Sequence, residues 1–197
     1  KEKVIISVRN KESFFVKSWM RKLYLKFCYV KADAIVAISQ RVEHDICHTF
    51  GVKKDKVQTI YNPDAEFVFT DNIPEWYREL VSEKQVIITA GRLTLQKGQG
   101  YLIRAFKEVH INNPNTHLVI LGQGELRQEL QNLVSLLGLE NAVTFGGFVH
   151  NPYDYIVKAK IFVFSSIVEG LGNVLVETLK CKTPIISTDC DCGPREI

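Results

Sequence analysis

Two carboxylates, Glu169 and Glu177, stand eight positions apart in EGLGNVLVE, inside an otherwise apolar run. Between them Gly170, Leu171 and Gly172 form a turn, and Asn173 is a candidate N-cap for a helix carrying Val174 and, in its first turn or so, Glu177. Such a turn aims backbone N–H groups and the positive end of a helix at an anion. Glu177 is ill suited to that anion itself. A carboxylate there can instead accept hydrogen bonds from a vicinal diol, and Glu169 can do the same on the anion's other side. Sugar hydroxyls on both sides of a phosphate describe a nucleotide sugar. The plainer reading of Glu177 is an acid near a helix N-terminus, favoured by the dipole by about 0.3–1 kcal/mol.

Cations that could meet the phosphates lie upstream, in GRLTLQKG, where Arg92 and Lys97 fall between Gly91 and Gly98. A guanidinium fork and an ammonium point charge can approach different oxygens of a diphosphate while glycines let the backbone come close. The alternative is a solvated pair of surface cations. The glycine spacing is not the dinucleotide fingerprint G-x-G-x-x-G. Gly122-Gln123-Gly124 and Gly146-Gly147-Phe148-Val149 are further loops of this type. The first is also explained by a tight turn, and the second would edge a flat nucleobase unless Phe148 simply packs beside a turn.

The elements that must position these loops alternate regularly. QVIITA, HLVILG, AVTFGG, KIFVFSS and TPIISTD read as strands, separated by helical patterns in 98–113, 124–138, 151–159 and 173–181. Apolar runs without alternation suit strands buried on both faces, and the βαβα succession predicts a doubly wound parallel sheet. In such a sheet the loops at the carboxyl ends of the strands hold the ligand, and the unusual residues fall in those loops. Residues 1–62 follow the same grammar, with strands in VIISV, AIVAIS and VQTIYNP and helices over 14–30 and 41–50. The expected organisation is therefore the end of one Rossmann-like domain over 1–62, a linker over 63–84 and most of a second such domain over 85–197.

At 197 residues one whole domain fits and two do not fit comfortably, and the opening without Met suggests a piece of something longer. The 46% hydrophobic and 24% charged content is globular, and no apolar run approaches a membrane span. Five cysteines without framework spacing read as reduced thiols, and no metal is expected. Residues 1–60 carry 13 Lys and Arg against 6 Asp and Glu, whereas the remainder is acidic. Part of that excess sits in FFVKSWMRKLYLKFCYV, a basic and aromatic helix that either packs on its own sheet, the commoner arrangement, or rests on anionic lipid. A nucleic-acid partner is not indicated, since the excess is modest and no recognised module accompanies it.

Gly91-Arg92-Leu93 with Lys97-Gly98, Gly122-Gln123-Gly124, Gly147-Phe148, the Glu169/Glu177 pair, Pro184 and the terminal GPREI appear in one order and spacing. Together they resemble the glycosyl transferases group 1 family, retaining enzymes of the GT-B fold that use nucleotide sugars. Ala34–Ser39 and Ile60–Pro63 are similar to the end of that family's first domain, so the resemblance runs from about Val30 to the C-terminus. It implies that Arg92 and Lys97 neutralise the departing diphosphate and that Glu169 grips the donor sugar. Glu177 would hold the ribose diol, the amides of Gly170, Leu171, Gly172, Asn173 and Val174 would contact phosphate and sugar, and Gly122, Gly124, Gly147, Phe148 and Val149 would line the base.

The implied reaction is hexosyl transfer, with retention, from a UDP-sugar to a hydroxyl of a bacterial capsule, lipopolysaccharide or lipid-linked glycan, with no metal or other cofactor. The expected location is cytoplasmic, with a peripheral place at the inner face of the membrane if the basic helix over 14–30 rests on lipid. The family's acceptor-side loop and its closing C-terminal helices lie outside these 197 residues, so the chain alone is expected to transfer nothing. A non-catalytic nucleotide-binding relic is one alternative, although a scaffold has no physical need for all four of Arg92, Lys97, Glu169 and Glu177. A phosphorylase or nucleotide-sugar epimerase on the same fold is another, separated by its product.

Overall fold

In the computed structural model, which describes residues 2–63 and 68–197, the unalternating apolar runs are parallel strands. Residues 64–67, part of the expected linker, lie outside the described residues. Contacts divide the chain into two compact units. One comprises Lys1–Pro63 with Val168–Asn173 and Asp189–Ile197, and the other Asp64–Ile167 with Val174–Thr188.

The first unit runs β1 (Ile5–Val8), α1 (Glu12–Phe15), α2 (Trp19–Lys31), β2 (Ala34–Ala37), α3 (Gln40–Phe50) and β3 (Val57–Thr59). Its strands form a parallel sheet in the order β1-β2-β3, with Ile6 opposite Ile35 and Ile35 opposite Val57. Helix α3 has a well-defined start and stop. Ser39 caps it by accepting from the Val42 N–H at 3.3 Å, and Gly51 ends it in the left-handed conformation. Val42, Ile46 and Phe50 on its buried face pack with Val8, Ile35 and Tyr29 to make the core of the unit. The predicted continuous helix over 14–30 is instead two helices, interrupted at Val16–Ser18, where Val16 turns inward. Helix α2 packs on the core of the first unit through Tyr29 and Leu25, and its remaining aromatic residues are exposed.

The second unit runs α4 (Glu75–Glu83), β4 (Gln85–Ala90), α5 (Gln99–Asn112), β5 (Thr116–Leu121), α6 (Arg127–Leu136), β6 (Val143–Gly147), α7 (Tyr153–Ile156), β7 (Ile161–Phe164), α8 (Asn173–Lys180, in this unit from Val174) and β8 (Ile185–Ser187). The sheet order is β6-β5-β4-β7-β8, all parallel, so the winding reverses between β4 and β7. That reversal is where open α/β sheets leave a crevice. Every residue of β5 is buried, as a central strand covered on both faces must be. Leu102, Ile103 and Phe106 of α5 and Leu130 and Val134 of α6 pack on Leu118 and Ile120 to fill one side.

The stretch expected as a linker contains α4, whose Tyr77 is fully buried against Tyr155, with ring centroids 4.8 Å apart. The Tyr77 hydroxyl donates to the Tyr155 carbonyl at 2.8 Å. One residue earlier on α7, Asp154 is 1% exposed and accepts from the Thr70 N–H, the Thr70 hydroxyl, the Asn72 N–H and the Asn151 amide. Burial alone would raise the pKa of Asp154, yet the hydrogen bonds from Thr70 and Asn72 hold it below the usual value. A single carboxylate thus anchors the extended segment before α4. Asp154→Ala should cost about 2 kcal/mol in urea unfolding, because the anchored N–H groups lose a charged acceptor.

His117 on β5 is the opposite case. Burial, with a smaller contribution from His110, depresses its pKa from 6.5 to about 4, and its Nε2 lies 2.9 Å from the Thr144 hydroxyl. Because the unfolded chain binds this proton more readily, stability should fall as pH drops from about 6.5 towards 4. In His117→Gln that part of the acid slope should be missing from a thermal-unfolding pH series.

Candidate functional site

Carboxyl ends of β4, β5, β6 and β7 in the second unit bring most of the singled-out loops side by side. After β4, Gly91 donates its N–H to the Leu121 carbonyl at 3.0 Å, and Leu93 donates to the Gln123 carbonyl at 2.9 Å. Gly122 donates to the Gly147 carbonyl at 2.6 Å, so the loops after β4, β5 and β6 are tied in one row. Gly122 has φ +131°, and a Cβ there would overlap the Gly91 carbonyl oxygen. The close approach of these two turns therefore requires glycine.

The same row continues across the point where the winding reverses. Ser165, just past β7, donates from its hydroxyl to the Lys97 carbonyl at 2.9 Å, and the Ile167 N–H donates to the Gln96 carbonyl at 2.8 Å. Gly98, at φ +64°, lies so near the Ser165 carbonyl that a Cβ would overlap it. Lys97 is consequently held with its stem along Gly91 and its ammonium 5.7 Å from the centroid of Phe164, the last residue of β7. This is a cation–π distance. Arg92 is exposed on the same loop.

Gln99 is a residue that motif spacing did not single out. It opens α5, is 3% exposed, and donates from Nε2 to the Arg92 carbonyl at 3.0 Å. Its Oε1 is buried and finds no hydrogen-bond donor among the described residues. The only sequence signal was a polar residue at a position of the α5 period that faces the core. Gln99→Leu should keep the fold while loosening the Arg92 turn. Amide hydrogen exchange over 91–97 is expected to quicken roughly tenfold, the worth of one hydrogen bond.

The base-side candidates sit at the end of β6. Phe148 is 62% exposed with its ring edge-on to His150, 5.2 Å between centroids, so it is not a packed core residue. Val149 beside it is partly buried. Glu177 lies on α8, half-buried and in the second turn, not the first as its distance from Gly172 suggested. The helix-dipole explanation for this acid is weakened accordingly, since the effect fades beyond the first turn. Burial raises the pKa of Glu177, and a hydrogen bond from the Tyr153 hydroxyl together with Lys180 opposes the rise. A carboxylate has about four acceptor positions, so Tyr153 leaves room for a diol.

Glu169, Gly170, Leu171, Gly172 and Asn173 belong to the first unit. Glu169 is 6% exposed. Val168 bridges to Asp191 as a short parallel pair, and Gly170 lies against the Arg9 carbonyl. Leu171 packs its side chain into the core with Val8 and Ile38, which leaves only its backbone for a ligand. Asn173 is itself the first helical residue, not the cap before it, and its Oδ1 accepts from the Asn62 amide at 3.0 Å. Glu196 of the terminal GPREI accepts from the N–H groups of Gln40 and Arg41, at 2.8 and 2.9 Å, and from the Tyr61 hydroxyl at 3.0 Å. All five cysteines are free, and burial pushes the Cys192 thiol up to about 12. Among the described residues no cluster of three His, Cys, Asp or Glu is gathered as a metal would need.

Residues 74–197 match the family model described as glycosyl transferases group 1, and residues 7–63 match that of glycosyltransferase family 4. An uncharacterised glycosyltransferase of Methanocaldococcus jannaschii is 39% identical over 99% of this chain and 50% of its own length. A Campylobacter jejuni protein named N-acetylgalactosamine-N,N'-diacetylbacillosaminyl-diphospho-undecaprenol 4-alpha-N-acetylgalactosaminyltransferase is 35% identical over 91% of this chain and 48% of its own. The chain thus spans about half the length of these relatives. Among solved structures, Anabaena HepE in complex with UDP and glucose superposes with a TM-score of 0.84 at 22% identity, over 99% of this chain and 55% of its own. The fold is that of the GT-B enzymes.

Proposed function

Because the chain belongs to the glycosyl transferases group 1 family, whose model spans residues 74–197, we propose that it is the nucleotide-sugar half of a retaining transferase. The second unit takes the donor and the first is part of the acceptor side. The donor is UDP-linked, and the acceptor is a hydroxyl of a growing or lipid-linked glycan. The observation that carries this reading is the placement of Arg92 and Lys97 where the sheet reverses its winding, on a loop whose backbone is fastened to both neighbouring strand ends. Two cations held there suit a diphosphate, the group at which negative charge grows when the bond to the sugar breaks.

Each part then has a chemical task. Lys97, with its ammonium fixed over Phe164, and Arg92, reaching from the exposed side, take up the charge of the departing diphosphate. No metal is assigned a part, since these two cations supply the positive charge. Glu177 accepts the ribose hydroxyls with the oxygen positions that Tyr153 leaves. Exposed Phe148 offers an aromatic surface to the base. UDP is favoured because HepE binds it with this fold, and a lipid diphosphate acceptor because the Campylobacter relative is named for one.

Calorimetric titration of UDP into the chain tests the donor site directly. Lys97→Ala and Glu177→Ala, each retaining the native circular dichroism, should both weaken UDP binding. In the longer protein Lys97→Ala should lower turnover about a hundredfold or more, the usual effect of deleting one preorganised partner of transition-state charge. Undiminished UDP affinity in both variants, or near-normal turnover of Lys97→Ala, would remove the assignment.

A further inference from the structure

Helix α3 carries two of the chain's five histidines, His44 and His48, about one turn apart. Val42, Ile46 and Phe50 fix which way the helix faces, because all three are buried in the core of the first unit. By helical geometry the side opposite that stripe is centred between His44 and His48, and both are exposed. Their rings stack with 3.9 Å between centroids and 25° between planes. The other three histidines have different surroundings. His117 is buried against the Thr144 hydroxyl, His110 approaches the Thr116 hydroxyl, and His150 lies edge-on to Phe148.

Two imidazoles four residues apart on one helix face are a chelating pair, the spacing by which H-x-x-x-H supplies two ligands to zinc. A metal about 2.0–2.1 Å from each ring nitrogen needs those nitrogens roughly 3 Å apart. Near-parallel rings at 3.9 Å come close to that, and the broad χ2 of histidine closes the difference without a change of χ1. The frame is fixed at both ends, since Ser39 caps α3 and Gly51 stops it. Neighbouring side chains are engaged elsewhere. Asp45 accepts from the Ser13 N–H and the Thr49 hydroxyl, Glu43 accepts from the Thr59 hydroxyl and pairs with Lys54, and Arg41 pairs with Asp191. Cys47 packs against the core, and burial raises the pKa of its thiol. The protein therefore supplies two nitrogens and water the other ligands, a surface chelate in place of the closed four-ligand set of a structural zinc site. Imidazole ligands favour nickel, copper and zinc, whereas magnesium and calcium take oxygen.

We propose that His44 and His48 form a two-ligand site for a divalent transition ion of the nickel, copper and zinc group. The proposal goes beyond the donor reading, and its test uses no nucleotide. Zinc chloride is titrated calorimetrically into the whole chain at neutral pH with the thiols kept reduced. The chain should take up a single zinc ion and no magnesium, and of the histidine ring signals in NMR those of His44 and His48 should move. His44→Gln and His48→Gln, at exposed positions on which the core does not depend, should each weaken zinc binding on the order of a hundredfold, the usual loss when a second linked contact is removed. Because the chelate spans one turn of the helix that carries the core of the first unit, zinc should also raise the thermal unfolding midpoint of the natural chain and not that of the double variant. Absence of zinc binding would overturn the proposal. So would equal affinity in both variants, which would put the ion on the cysteines, or equal affinity for magnesium, which would put it on carboxylates.

Discussion

Gly98 allows the end of the β4 loop to meet the carbonyl of Ser165 at a distance no side chain would permit. The arrangement at the carboxyl end of the larger sheet depends on that approach. It brings the Lys97 carbonyl within reach of the Ser165 hydroxyl and the Gln96 carbonyl within reach of the Ile167 N–H. Two loops that are distant in sequence thereby become one surface, and the direction of Lys97 follows from it. Gly122 plays the matching part on the other flank against Gly91. An open sheet offers a crevice at its winding reversal for topological reasons, but a crevice orients charge only when its loops cannot drift apart.

Carboxylates that gather several donors fasten local segments within each unit. Asp154 gathers donors from Thr70, Asn72 and Asn151 and so ties the segment before α4 to α7. Within the first unit, Glu196 engages the first amides of α3 and the Tyr61 hydroxyl. In both cases an acid is placed where several N–H or O–H groups converge, and for buried Asp154 this is the arrangement in which a carboxylate is least costly. Gln99 differs, because its amide is half satisfied, with Nε2 on the Arg92 carbonyl and Oε1 without a donor among the described residues. A half-satisfied buried amide beside the two cations is more typical of a working site than of a packing core.

Apolar surface is distributed unevenly between the units. The larger sheet buries its central strand completely, whereas α2 in the first unit turns a stripe of aromatic and aliphatic side chains outward and flanks it with cations. Tyr29 and Leu25 fasten that helix to the core of the first unit.

Much of this was legible in the residues themselves. Unalternating runs such as VIIT and IFVF identify doubly buried parallel strands, and the glycines and charges that punctuate them identify the loops that matter. Their order alone pointed to the family that residues 74–197 match. Local pattern was insufficient where a long-range partner decides. EWYRELVSE has few apolar positions, and its helix becomes intelligible only once Tyr77 meets Tyr155. The division of 14–30 into two helices requires Val16 to turn inward, and the outward face of α2 requires knowing which side of a helix with more than one apolar stripe meets the core. Periodicity determines that a helix has a stripe, but only tertiary packing determines which stripe is covered. Likewise the sequence by itself specified Lys97 as a loop residue and Ser165 as the end of a strand, and only the parallel pairing of β4 with β7 could bring the two together, because strand order is a long-range property that no local spacing encodes.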